Sequence, residues 1–150
     1  MKIEDEIVHL IKKLDITSAI EQDRVWIKLQ ALRFDIPYYF LNIYPTFKKA
    51  QGRTFLLFRC IEYARTNEFA FQLGVKGLSD KALLVRYRAA CILAYSLRPD
   101  AIPFLEQNLN HQDQVLISMD SLKTTNSDFI ATSITETLFS LPLTEASPTI

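Results

Sequence analysis

Apolar residues recur every three or four positions along most of the chain, the spacing of helices that each bury one face. Ile3, Ile7, Leu10, Ile11 and Leu14 form such a stripe and predict a first helix over 3–14. Ser18 followed by Glu21 has the spacing of a capping box, in which each side chain satisfies a free amide of the new helix. That helix is predicted to run to about Phe34, with Val25, Leu29 and Leu32 turned inward. Asp35-Ile36-Pro37 restarts the chain, because proline fits the first turn of a helix and not its interior. Pro45 and Gly52 predict a short or broken helix over 37–50. Further helices are predicted over 54–65, 67–78, 81–97, 101–109, 113–123 and 127–140. Pro142 and Pro148 then mark a fraying tail over 142–150.

The helices carry an internal echo. Triplets spaced i, i+4, i+7 occur at Val25/Leu29/Leu32, Leu57/Ile61/Ala64, Val85/Ala89/Ile92 and Val115/Met119/Leu122, with offsets of 32, 28 and 30 residues. Ile36-Pro37 and Ile102-Pro103 stand 66 residues apart, and Leu78-Ser79-Asp80 matches Leu109-Asn110-His111 across 31. About 30 residues is the length of two helices joined by a tight turn.

The stretch Gly77-Leu78-Ser79-Asp80, Val85-Arg86-Tyr87-Arg88-Ala89-Ala90, Leu93-Ala94-Tyr95-Ser96-Leu97 and Ala101-Ile102-Pro103-Phe104-Leu105 resembles a HEAT repeat, especially those of short bacterial HEAT-like proteins. The match is good over 70–110 and fair over 54–69, so 54–122 is the best-matched span. It is weak before 53 and after 122, and Leu116 stands where the pattern has arginine. The resemblance implies an all-α fold, a HEAT-like α-solenoid of about four helix pairs with a C-terminal capping helix, in one domain over 1–141. It also implies that Asp80 caps the second helix of its pair, that Arg86 reaches back to the turn, and that Ala89 and Ala90 let helices approach closely.

Composition narrows the class. Three glycines and six prolines in 150 residues are too few turn formers for an all-β sandwich. No apolar run approaches the roughly 18–20 residues that span a bilayer, and acids at Glu4, Asp5 and Glu6 oppose a signal peptide. The expectation is a cytosolic (cytoplasmic) protein without membrane contact. Net charge is zero, yet residues 1–98 hold 16 basic against 10 acidic side chains, while 99–150 hold Lys123 against seven acids. Such a split can steer a charged partner.

Signatures of catalysis are missing. His9 and His111 are far apart and each alone, whereas metal hydroxylases of HEAT fold use paired His-Glu motifs. Cys60 and Cys91 form no CxxC pair and read as reduced structural thiols; with a histidine they still lack the close spacing of a zinc site. Gly52, Gly74 and Gly77 make no phosphate loop, and Ser18 and Ser96 read as caps or packing residues. The expectation is no enzyme, no metal and no cofactor.

For binding, Lys48, Lys49, Arg53, Arg59, Arg65, Arg86 and Arg88 could form a basic surface for nucleic acid, but the zero net charge and the acidic last third oppose phosphate. A protein partner fits better. If the triplets face inward, the opposite face at 100° per residue shows Arg59, Glu62 and Tyr63, then Tyr87, Ala90 and Cys91, then Ile117 and Asp120. That mixture of aromatic, apolar and charged groups has the composition of an interface. The expected function is a protein-binding module, in its sharpest form a bacterial immunity protein whose acidic third masks the basic active site of a nuclease toxin. The alternatives are an adaptor or assembly factor, and behind that a nucleic-acid binder.

Overall fold

A computed structural model describes residues 2–109 and 113. Among these residues the fold is all-α: seven α-helices, two short 3₁₀ turns and no strand. They are α1 (Ile3–Lys12), α2 (Ala19–Gln30), α3 (Ile36–Ile43), α4 (Ala50–Cys60), α5 (Glu68–Gly77), α6 (Leu83–Tyr95) and α7 (Ala101–Asn108). Among the described residues no helix is long and apolar enough to cross a membrane. The helices expected at 113–123 and 127–140 and the tail over 142–150 lie outside the described residues.

The starts follow local chemistry. Ser18 accepts the Glu21 amide at 3.3 Å, but Glu21 turns to Arg24, so only half of the expected capping box forms. Asp35 accepts the Tyr38 amide at 3.3 Å, and Pro37 occupies the first turn of α3. Asn67 accepts the amides of Phe69 and Ala70, which opens α5. α2 stops four residues before Phe34, and Arg33 beyond it takes a left-handed φ of 46°.

Gly52, expected to interrupt a helix, lies inside α4. A Cβ there would stand 2.9 Å from Asp15 Cα and from Phe47, so glycine permits a backbone approach and breaks nothing. Asp15 itself accepts the Lys48 and Lys49 amides at 2.9 Å each and thereby caps the start of α4. The helix expected over 54–65 begins earlier and tightens after Cys60 into a 3₁₀ turn at Ile61–Tyr63.

α1 contacts α3, α3 contacts α5, and Phe104 of α7 meets Phe71 of α5 edge-on at 6.2 Å. α4 packs against α6, and the consecutive helices α1 with α2, α3 with α4, α4 with α5 and α5 with α6 are also in contact. Trp26, almost fully buried, wedges α2 between Phe40 at 6.1 Å and Phe55 at 6.0 Å. The buried stripe of α2 is therefore Gln22, Trp26 and Leu29, with Val25 and Leu32 only half-buried beside it. Gln22 survives burial because its amide nitrogen donates to the carbonyls of Leu14, Ile16 and Gln51 and its oxygen accepts from Gln51. Buried polar groups are tolerated on that condition.

α6 is apolar nearly all round. Val85, Ala89, Ala90, Cys91, Ile92, Leu93 and Ala94 are all buried, as expected of a helix with neighbours on several sides. Ala90 and Cys91 therefore do not belong to an exposed face, because stacking covers both sides of this helix.

Candidate binding face

The turns between helices are held by arginines. Arg53, at the start of α4, donates to the Asp80 carboxylate through Nε at 2.7 Å and through a terminal nitrogen at 3.1 Å. It also reaches the Phe47 carbonyl at 3.5 Å. Arg86, at the start of α6, makes the same set of contacts one step on. It donates to the Asp80 and Lys81 carbonyls at 3.0 and 3.1 Å and pairs with Asp113 at 3.2 and 3.3 Å. In both cases the carbonyl lies six residues back and the carboxylate 27 residues on, so the contacts repeat at a step of 33 residues. Asn42 to the Tyr38 carbonyl and Asn108 to the Phe104 carbonyl repeat at two such steps, as do Ile36-Pro37 and Ile102-Pro103.

Asp80 also accepts the Ala82 amide at 2.9 Å and the Tyr44 hydroxyl at 2.5 Å. The capping role expected of Asp80 and the backward reach expected of Arg86 are both present. Burial favours the neutral acid, but the bonds from Arg53, Tyr44 and the Ala82 amide outweigh it and hold Asp80 below the usual carboxylate value. Burial first, and then the Asp80 charge, push the Tyr44 phenol well above its ordinary value. A cleft of about 510 Å³ opens above this buried group, with Lys48 and Lys81 on its sides.

These contacts remove cations from the basic set proposed for nucleic acid. Arg53 and Arg86 are struts of the turns, and Arg65 donates to the Tyr95 carbonyl at 3.4 Å. Ser96 is a cap, its hydroxyl donating to the Leu93 carbonyl and accepting the Arg98 amide. Cys60 and Cys91 are both buried, and burial together with the charges of Glu62 and Asp35 pushes the Cys60 thiol far up. Both cysteines are thus packing residues.

A different strip forms where α4 meets α6. The Arg59 guanidinium lies over the rings of Trp26, Phe55 and Phe58 at 5.0, 5.2 and 5.4 Å. Arg88 of α6 lies over the same Phe58 at 4.7 Å and over Tyr87 at 5.0 Å. Phe58 is thus in contact with two guanidiniums, and it remains 44% exposed. Contacts of this kind contribute about 0.5–2 kcal/mol each. The Nε atoms of Arg59 and Arg88 are covered and make no hydrogen bond. Arg59 pairs with Asp23 of α2 at 3.4 Å through one terminal nitrogen. No ion pair joins Arg88 to a carboxylate among the described residues.

Of the residues expected on one face, Arg59, Glu62, Tyr63 and Tyr87 do come to the α4–α6 surface. Glu62 is exposed, and the other three are half-buried. Tyr63 sits in the 3₁₀ turn that packs against α6, and burial and the neighbouring Glu62 raise its phenol. Cys91 is 5% exposed and lies in the interior, so it is not a surface contact. Ile117 and Asp120 fall outside the described residues. Phe58 and Arg88 are the members that the one-face projection omits. An aromatic beside an arginine on α4, and another on α6, were the available signals.

Compared with known proteins, the chain matches no family model, no curated protein and no solved structure.

Proposed function

We propose that this protein is a HEAT-like helical stack that works by binding another protein and carries out no chemistry of its own. The observation that carries the reading is the Arg59–Phe58–Arg88 strip: an exposed aromatic ring in contact with two guanidiniums, with Tyr87 against the second of them. Arginine and large aromatic residues are the types in which interface energy concentrates. The contacts between neighbouring and alternate helices and the 33-residue step of the arginine contacts support the stack. In such stacks the second helices of successive units line up into an extended surface.

The narrower form of the proposal is an immunity protein that neutralises a toxin. It draws on the charge split, which leaves an acidic last third available to a basic surface. Co-expression with a toxin encoded beside it, and measurement of cell survival, tests that form.

The general reading is tested with the full chain immobilised in a lysate of its own cells. The captured protein is then purified and titrated calorimetrically against the parent and Phe58→Ala. Truncating a centrally placed aromatic anchor is expected to cost about 2 kcal/mol, roughly 30-fold in affinity. Because Phe58 is 44% exposed, the melting temperature should move by only a few degrees. Unchanged affinity removes the partner from this face.

A further inference from the structure

We infer that the partner presents a carboxylate-rich segment to Arg59 and Arg88, the two guanidiniums that meet at Phe58. This rests on the reading of the α4–α6 surface as a protein-binding face and adds the chemistry of what it binds. The ground for it is a contrast among the arginines. Arg24, Arg53, Arg86 and Arg98 each have a carboxylate partner at close range, and the last three are bound through more than one nitrogen. Arg88 has rings on its faces and no carboxylate among the described residues. Arg59 shares one terminal nitrogen with a largely exposed Asp23, at the long distance of 3.4 Å.

Nε of each guanidinium is covered, so bidentate recognition falls to the two terminal nitrogens, one of which on Arg59 would exchange its long contact with Asp23. A guanidinium partly stripped of water by rings attracts a carboxylate more strongly than one free in solvent. Two such groups on one ring, on adjacent helices, suit two acidic side chains of one segment. A nucleic-acid strand fits less well. Its phosphates recur without a break, and here Asp23, which meets Arg59, and Glu62, three residues beyond that arginine, stand exposed. Separate carboxylates on a peptide can alternate with them.

The test uses a fluorescein-labelled twelve-residue peptide of Asp and Glu interspersed with Gly and Ser. Its Asn/Gln counterpart and a twelve-nucleotide oligothymidylate serve as comparisons, all read by anisotropy at low salt against the full chain. The acidic peptide is expected to bind saturably, and Arg88→Gln to weaken it at least tenfold. Arg59→Gln together with Arg88→Gln should abolish binding, while Arg24→Gln, at an already paired site, leaves it unchanged. Arg88→Lys covers the case of a poorly folded Arg88→Gln. It keeps the charge but loses the planar fork, and should still weaken the peptide severalfold.

Three results overturn the inference: equal binding by the parent and the Arg88 variants, equal binding of the neutral peptide, or preference for the oligothymidylate. Should the acidic peptide not bind while Phe58→Ala still loses the captured partner, the inference falls and the protein-binding reading stands. Should Arg88-dependent peptide binding persist while Phe58→Ala leaves the captured partner untouched, the grip on acids stands and the wider reading falls.

Discussion

Replacing Asp80 by asparagine tests the fold at the point on which most bonds converge. The carboxylate accepts four hydrogen bonds, two from Arg53, one from Tyr44 and one from the Ala82 amide. Arg53 and Asp80 side chains are only 8% and 6% exposed. An amide has one acceptor oxygen. If that oxygen keeps Ala82 and the terminal nitrogen of Arg53, the new NH₂ group faces the Arg53 Nε and opposes donor to donor. The guanidinium then lies buried without its counter-charge. Removing one partner of a buried pair costs about 3–5 kcal/mol, and the carbonyl contact that Arg53 keeps at Phe47 places this case near the lower end. With a urea slope of about 1.5–2 kcal/mol/M for a chain of this size, the midpoint should fall by roughly 1.5–2 M. Asp100→Asn is the control, because its partner Arg98 is solvated and exposed pairs contribute at most about 1 kcal/mol. The pH dependence has a definite sign. Asp80 is held below its ordinary 3.8, so its contribution is complete above that value and is lost as pH falls through the lower folded value. The parent and Asp80→Asn should therefore converge in strong acid and differ fully at neutral pH. A midpoint change no larger than that of Asp100→Asn would refute the buried-pair account.

Two further outcomes follow from packing. Gly77→Ala should destabilise by about 1–2 kcal/mol in the same urea assay, since its Cβ would meet Ala89 Cβ at 2.8 Å and Leu57 at 3.1 Å, and overpacking outweighs the gain in helix propensity; a stabilised variant would show that α5 and α6 can separate freely. Cys60, fully buried with its thiol pushed up, should react with a thiol reagent only as fast as the chain opens, so its labelling should accelerate in parallel with unfolding as urea is added.

Helix positions were legible in the sequence because periodicity, Pro37 and the polar starts at Ser18, Asp35 and Asn67 are local signals. The triplets give steps of 32, 28 and 30, because any amphipathic helix contains such a triplet and matches can slip by a turn. The 66 residues between Ile36-Pro37 and Ile102-Pro103 already equal two steps of 33, and the contacts single that step out: Arg53 does for Asp80 what Arg86 does for Asp113. Of Val25, Leu29 and Leu32, expected inward on α2, only Leu29 is fully buried, and Trp26 joins it, since a side chain that long reaches Phe40 and Phe55 from a neighbouring position on the helix. Cys91 was placed on the wrong side because projecting an opposite face assumes one covered side. α6 has α4, α5 and α7 around it. Gly52 looked like a breaker because its close neighbours, Asp15 and Phe47, come from other segments. The Arg59–Phe58–Arg88 strip was half visible: Arg59 was named, but sharing one ring across two helices is a tertiary fact.

The long reach of the arginine pairs bears on how the molecule gives way under load. Arg53–Asp80 and Arg86–Asp113 each close a loop of 27 residues, and the first loop contains the whole of α5. Asp80 and the carbonyl beside it serve both, receiving Arg53 from behind and Arg86 from ahead. Peeling α4 away therefore strains a bond anchored in the turn before α6, and that turn in turn grips Arg86. Links that overlap in this way behave like roof tiles: α4 does not lift without disturbing the turn that holds α6.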